Sequence, residues 1–198
     1  NLHLSEYYGT RLYMCHVSTK EAVEAIGAAK WKGVPVTCEV TPHHLWFADT
    51  DYRVNPPIRK AEDVDALIEA IRLGVVDAIA TDHAPHTDEE KAAGAAGMVG
   101  LETAFGVCYT KLCREKGLPL ARLAELMSTA PAEILGLAGH GRVLPGYAAD
   151  LALVELDTPY TVDKNALHSK SHNCPYDGAQ LFGRVDLTIK GGKVTWKR

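Results

Sequence analysis

The residues best suited to do chemistry lie in one hexamer, Thr81-Asp82-His83-Ala84-Pro85-His86. A carboxylate there can bind a hard or borderline cation and move a proton, and the imidazoles can bind a metal or an anionic substrate. One Asp and two His fall within five residues, and Pro85 stiffens the turn between them. The hexamer follows the mostly apolar run Val75-Val76-Asp77-Ala78-Ile79-Ala80. Such a run reads as a buried parallel strand with its chemistry at the carboxyl end. A lone Asp-His pair is more often an ordinary polar loop. Two further strand ends repeat the theme, His16 after Leu12-Tyr13-Met14-Cys15 and His43-His44 after Val34 to Val40.

The elements that must hold these residues alternate. Leu2 to Tyr8 reads as the end of a helix stopped by Gly9. Ser18-Thr19-Lys20-Glu21 matches a capping box that opens a helix through Lys32, with Ala22, Val23, Ile26 and Ala29 on one face. Glu62 to Leu73 carries Val64, Leu67, Ile68 and Ile71 at helical spacing, closed by Gly74. Three strands separated by helices predict a parallel sheet with functional residues at its carboxyl edge. Glu102 to Lys116, Leu120 to Met127 and a turn opened by Pro131 read as helices. Beyond Gly139 the chain turns β-rich: Asp150 to Leu156 is a strand, and Gly191-Gly192 joins Val185–Lys190 to Lys193–Trp196 in a hairpin. Ala92 to Gly97 is Gly/Ala-rich and predicts a mobile loop beside the site.

The bulk properties exclude several classes. The 198 residues are 46% hydrophobic and 23% charged, with a formal net charge of -4. That balance is ordinary for a soluble globular protein and offers no broad basic surface for nucleic acid or an anionic membrane. No apolar stretch approaches the ~20 residues that span a bilayer. Five cysteines without a CxxC pair predict reduced thiols and a cytoplasmic setting, with Cys15 and Cys38 as small core residues.

Taken together, five blocks resemble the dihydroorotases, cyclic-amide hydrolases of the amidohydrolase superfamily, most closely the long-chain type. They are Cys15-His16-Val17-Ser18-Thr19, Glu39-Val40-Thr41-Pro42-His43-His44-Leu45, Asn55-Pro56-Pro57-Ile58-Arg59, Thr81 to His86, and Val99-Gly100-Leu101-Glu102-Thr103-Ala104-Phe105. The stretch from Gly141 to Leu151, and Ser169-Lys170-Ser171 through Gly178, are similar to that family's accessory β-domain. The resemblance implies an α/β fold: a partial TIM (β/α)8 barrel, its last three βα units, plus part of a small β-sandwich. The implied boundaries are 1–138 and 139–198. It implies Zn2+, one or two ions per complete site. Asp82 is implied as zinc ligand and as general base and acid, and His16 as a ligand of the second zinc. His86 and Asn55 are implied to hold the substrate's carboxylate and ring, and Ala96 and Gly97 to offer backbone groups to that ring. The implied substrate pair is dihydroorotate and N-carbamoyl-aspartate, in pyrimidine biosynthesis.

The chain also departs from that family. No His-x-His occurs in it, and the family's first metal motif has that form. The loops after Leu45 and His86 are short, and Ala95-Ala96-Gly97 stands where Pro-Phe-Gly is common. The expectation is therefore a fragment that lacks the N-terminal half of its barrel and is inactive alone. A homodimer or an association with aspartate transcarbamoylase stays open. So do a hydantoinase or allantoinase activity, a non-catalytic scaffolding subunit, and a mere folding unit or proteolysis product.

Overall fold

The computed structural model describes all 198 residues, which divide into two compact units. The first comprises residues 1–100 and 169–175, the second residues 101–168 and 176–198. A boundary at 138/139 thus falls inside the second unit.

In the first unit, helix α1 (Leu2–Tyr8) ends at Gly9, whose φ of 62° is the left-handed conformation that glycine adopts without penalty. Strand β1 (Leu12–Met14) leads to helix α2 (Lys20–Trp31), strand β2 (Val36–Val40), the short helix α3 (Pro42–Trp46), helix α4 (Ala61–Arg72) and strand β3 (Ala78–Ile79). The cap of α2 is Thr19 rather than Ser18. The Thr19 hydroxyl accepts the Ala22 N–H, while Ser18 is buried. Either hydroxyl could cap, and the helix begins one residue later than a Ser18 cap requires.

The three strands form one parallel sheet in the order β1-β2-β3. Leu12 pairs with Val36 and Met14 with Cys38, and on the other side of β2 Glu39 pairs with Ala78 and Val40 with Ile79. Parallel neighbours need crossovers, and α2 and α4 supply them. These helices lie against each other, and Val23, Ile26, Val64, Leu67, Ile68 and Ile71 are buried. Asp77, the polar residue in the apolar run, anchors this layer. Its carboxylate accepts the Cys38 N–H at 2.8 Å and pairs with Lys30 Nζ at 2.6 Å, tying the end of α2 to the sheet. Cys38 is buried as its strand position implies, but Cys15 is exposed because β1 ends at Met14. After β3 comes helix α5 (Asp88–Ala92), and a single parallel bridge joins His83 to Met98.

In the second unit, α6 (Ala104–Cys108) continues into a wider π-helical stretch, Tyr109–Glu115. The next helical run consists of α7 (Leu120–Ala124), a π-helical turn and α8 (Ala130–Ile134), with Pro131 in the first turn of α8. Strand β4 (Leu151–Glu155), the two-residue strands β5 (Tyr160–Thr161) and β6 (Gln180–Leu181), β7 (Arg184–Lys190) and β8 (Lys193–Lys197) follow. The order β4-β7-β8 is antiparallel throughout, with the hairpin at Gly191-Gly192. No helix in the chain is long and apolar enough to cross a membrane.

The α2–α4 layer gives a direct stability test. Ile71 is fully buried, and Ile71→Ala is expected to destabilise the fold by about 2–5 kcal/mol, read as a lower urea midpoint. A change under about 0.5 kcal/mol would mean that this layer is not a core.

Candidate active site

The carboxyl edge of the parallel sheet brings His16 and Asp82 together. Both are non-glycine residues in the left-handed region, with φ of 52° and 48°. Such residues are uncommon, and they persist where the surroundings over-determine them. Here each lies just past a strand end, and the turn aims its side chain across the sheet edge. His16 Nε2 lies 3.5 Å from Asp82 Oδ1. That is long for a hydrogen bond, and it matches the ~3.4 Å separating two ligand atoms on a tetrahedral zinc with bonds of ~2.1 Å.

The far side of the imidazole meets Glu39, whose side chain is 6% exposed. His16 Nδ1 lies 2.7 Å from Glu39 Oε1, although it makes no well-directed hydrogen bond. The Tyr13 hydroxyl donates to the other carboxylate oxygen at 2.5 Å. Burial, then that hydrogen bond and the Glu39 charge, push the Tyr13 phenol far above its ordinary pKa. A carboxylate behind an imidazole leaves the opposite nitrogen facing outward, the arrangement found behind metal-binding histidines. The donor set therefore suits a metal on His16 Nε2 and Asp82. Only these two converge: no group of three or more His, Cys, Asp or Glu side chains gathers to hold an ion. Glu39 is the residue that sequence reasoning missed. Its signal was a lone charge inside the apolar run of β2.

His43 and His44 do not join this pair as ligands. They lie on α3, capped by the Thr41 hydroxyl, with their rings 4.4 Å apart. Thr41 donates to His44 Nδ1 at 2.7 Å, and His44 Nε2 then donates to the Pro56 carbonyl at 2.9 Å. His44 thus fixes the turn that carries Asn55, whose own side chain is exposed. His43 Nε2 is buried without a partner. Burial, reinforced by neighbouring His44 and His16, pushes His43 down to about 3. Burial also lowers His44 to about 4, against the opposing pull of its Pro56 hydrogen bond.

His86, Ala96 and Gly97 come together as well, but against one another. His86 Nε2 donates to the Ala96 carbonyl at 3.0 Å, and His86 Nδ1 lies 3.5 Å from Glu90. Gly97 N–H donates to the Arg53 carbonyl at 3.0 Å, and the Gly97 carbonyl accepts from Lys91 Nζ at 2.9 Å. The loop that composition marks as mobile is therefore stitched down at several backbone atoms. Lys91 makes most of those stitches. It also donates to the Ala95 and Arg53 carbonyls and sits 4.6 Å above the Tyr52 ring. His83 Nδ1 accepts the Gly100 N–H, which puts its ring proton on Nε2. His3, His140, His168 and His172 are exposed, and His168 pairs with Glu102 at 2.8 Å.

Comparison with known proteins places these residues in context. The amidohydrolase family model matches residues 6–196. A dihydroorotase of Clostridium botulinum is 52% identical over 200 residues, covering the whole chain and 50% of that relative. A dihydroorotase of Lactiplantibacillus plantarum is 44% identical, covering 98% of the chain and 47% of the relative. Among solved structures, an L-hydantoinase (dihydropyrimidinase) from Arthrobacter aurescens superposes with a TM-score of 0.93 at 32% identity. A D-hydantoinase (dihydropyrimidinase) from a Thermus species gives 0.94 at 26% identity. Each covers 99% of the chain and 47% of the solved one. The chain spans about half the length of the curated relatives it matches.

The two buried histidines predict a pH dependence. Their folded-state values lie below the ordinary 6.5. The unfolded chain therefore binds more protons between those values, and stability falls as pH drops through 6.5 toward 4. The expected loss by pH 4.5 is on the order of 2 kcal/mol or more in urea titrations. His44→Gln should flatten that slope, and an unchanged slope would contradict the buried, neutral state of His44.

Proposed function

The chain belongs to the amidohydrolase family, and on that premise we propose that the protein carrying it is a zinc-dependent cyclic amidohydrolase of the dihydroorotase type. It would open the cyclic amide of dihydroorotate to N-carbamoyl-aspartate, and close it again. The observation that carries this reading is the pair His16 Nε2 and Asp82 Oδ1, 3.5 Å apart at the carboxyl edge of a parallel sheet. The dihydroorotases of C. botulinum and L. plantarum, at 52% and 44% identity, support it.

His16 and Asp82 would hold the zinc, with its other ligands contributed from outside this chain. A bound zinc supplies two things: a water acidified toward pKa ~7 and a polarised amide carbonyl. The Asp82 carboxylate takes the proton of the attacking water as the C–O bond forms. It then delivers that proton to the amide nitrogen as the C–N bond breaks, so the product carries a free ureido group and a new carboxylate. Glu39 and Tyr13 keep the His16 ring oriented through this cycle. His86 and Asn55 would bind the substrate's carboxylate and ring. The Ala96 N–H is engaged in none of the loop contacts and would serve the ring as a donor. Gly97, with both backbone groups used internally, would shape the turn instead. The His86 ring would trade its Ala96 contact for the substrate.

We further infer that the sheet β1-β2-β3 forms the last three strand units of an eight-stranded barrel. A barrel of that kind takes ~250 residues, so this chain would supply one edge of the active site. The hydantoinase structures favour a second reading, activity on hydantoin or dihydropyrimidine rings. Assaying dihydroorotate, hydantoin and allantoin side by side with the full-length protein separates the two. Dihydroorotate should be preferred, and preference for either other ring would overturn the assignment.

Two outcomes follow from the proposed roles. In the full-length protein, Asp82→Ala should lower kcat/KM by about a thousandfold or more while the circular dichroism spectrum is retained, because it removes both a ligand and the proton carrier. Near-normal turnover would refute the role of Asp82. The 198-residue chain alone should show little turnover even with added zinc. Robust zinc-dependent activity would mean that it already holds a complete site.

A further inference from the structure

We propose that Asn173 is a positioning residue whose side chain sets the backbone bearing His86 and the Ala96–Gly97 turn. The inference rests on the substrate-binding roles proposed for those residues. Residues 169–175 follow the first unit's other residues by almost seventy positions, yet pack within that unit. Within this strap Ser171 and Asn173 are both buried, at 8% exposure.

The bonds of Asn173 converge on the substrate edge. Its Nδ2 donates to the Ala84 carbonyl at 3.3 Å and to the Gly97 carbonyl at 3.2 Å. Its Oδ1 accepts the His86 N–H at 3.5 Å. Its own carbonyl accepts the Val99 N–H at 3.1 Å and the Tyr52 hydroxyl at 3.1 Å. The Ser171 hydroxyl touches both the His86 carbonyl and Asn173 Oδ1. One residue thereby ties together the backbone at positions 84, 86, 97 and 99.

The chemistry of the position demands an amide. Two carbonyl oxygens face Nδ2 and one N–H faces Oδ1, so the orientation of the group is determined by its partners. A carboxylate of the same shape would turn acceptors toward two carbonyls in a buried site. The fit is also tight. Gly97 has φ 145°, and a Cβ there would lie 2.6 Å from Ala84 Cβ. The Gly97 carbonyl is held from one side by Asn173 and from the other by Lys91 Nζ. A shift of this turn would carry His86 and the Ala96 N–H with it, while His16 and Asp82, held by the sheet edge, would stay. The expected consequence is lost substrate affinity with the proton-transfer machinery intact.

Asn173→Asp in the full-length protein tests this. The KM for dihydroorotate should rise by about tenfold or more, with kcat changed by less than about threefold and zinc content unchanged. Amide exchange at His86 and Val99 should speed by about tenfold while β2 keeps its protection. A KM within about twofold of wild type and unchanged exchange would overturn the proposal, as would a fall in kcat with loss of zinc at constant KM. If Asn173→Asp does not fold, Ser171→Ala decides. It should raise KM and speed His86 exchange by about threefold, and no effect on either would overturn the inference. If the wild-type protein prefers hydantoin, the proposed substrate fails, but KM for that ring and the exchange rates still judge Asn173. If the wild-type protein turns over no ring, exchange alone judges it.

Discussion

A buried carboxylate organises the first unit. Glu39 sits in the middle of the parallel sheet at 5% exposure, flanked along β2 by the buried Cys38 and Val40. A charge in such a place is costly unless it is paired and hydrogen-bonded. Both partners come from the β1 side, the Tyr13 hydroxyl and His16 Nδ1. They reach Glu39 only because Met14 is in register with Cys38, and the Val17 N–H bonding to the Glu39 carbonyl extends that register past the strand end. The opposite edge of β2 pairs Glu39 with Ala78 and Val40 with Ile79, which delivers Asp82 three residues beyond β3. One strand thus fixes both halves of the His16–Asp82 pair. The unusual backbone at His16 and Asp82 is held in place by this double pairing.

Much of this architecture is legible in the chain itself. Apolar spacing marks α2 and α4, glycines mark the ends of α1, α2 and α4, and the Gly191-Gly192 turn marks the β7–β8 hairpin. The strand-end residues His16 and Asp82 are legible because their types are wrong for a buried strand and right for chemistry. What escapes notice is physically different. The β5–β6 pair has two residues per strand, too few to show a period. Thr19 and Ser18 offer the same hydroxyl, and only the helix geometry chooses between them. Asn173 is not legible, because apart from Ser171 its partners lie about 75 to 120 residues away along the chain. The Ala92–Gly97 loop looks mobile by composition, yet Lys91 and Asn173 consume the carbonyls that would otherwise be free.

The division of labour within the first unit follows from these contacts. The sheet edge holds His16 and Asp82, a donor pair whose chemistry suits a metal and a proton transfer. The loop beside it is fixed by the neighbouring Lys91 and by Asn173 from distant sequence. The sheet edge and the Ala96–Gly97 turn are thus held by separate sets of bonds.

The metal-ligand roles proposed for His16 and Asp82 can be read directly in a crystal. Anomalous diffraction at the zinc edge from crystals of the full-length protein tests them most directly. A peak is expected about 2.0–2.3 Å from both His16 Nε2 and an Asp82 carboxylate oxygen. Full zinc occupancy with the ion bound away from both residues would contradict those roles.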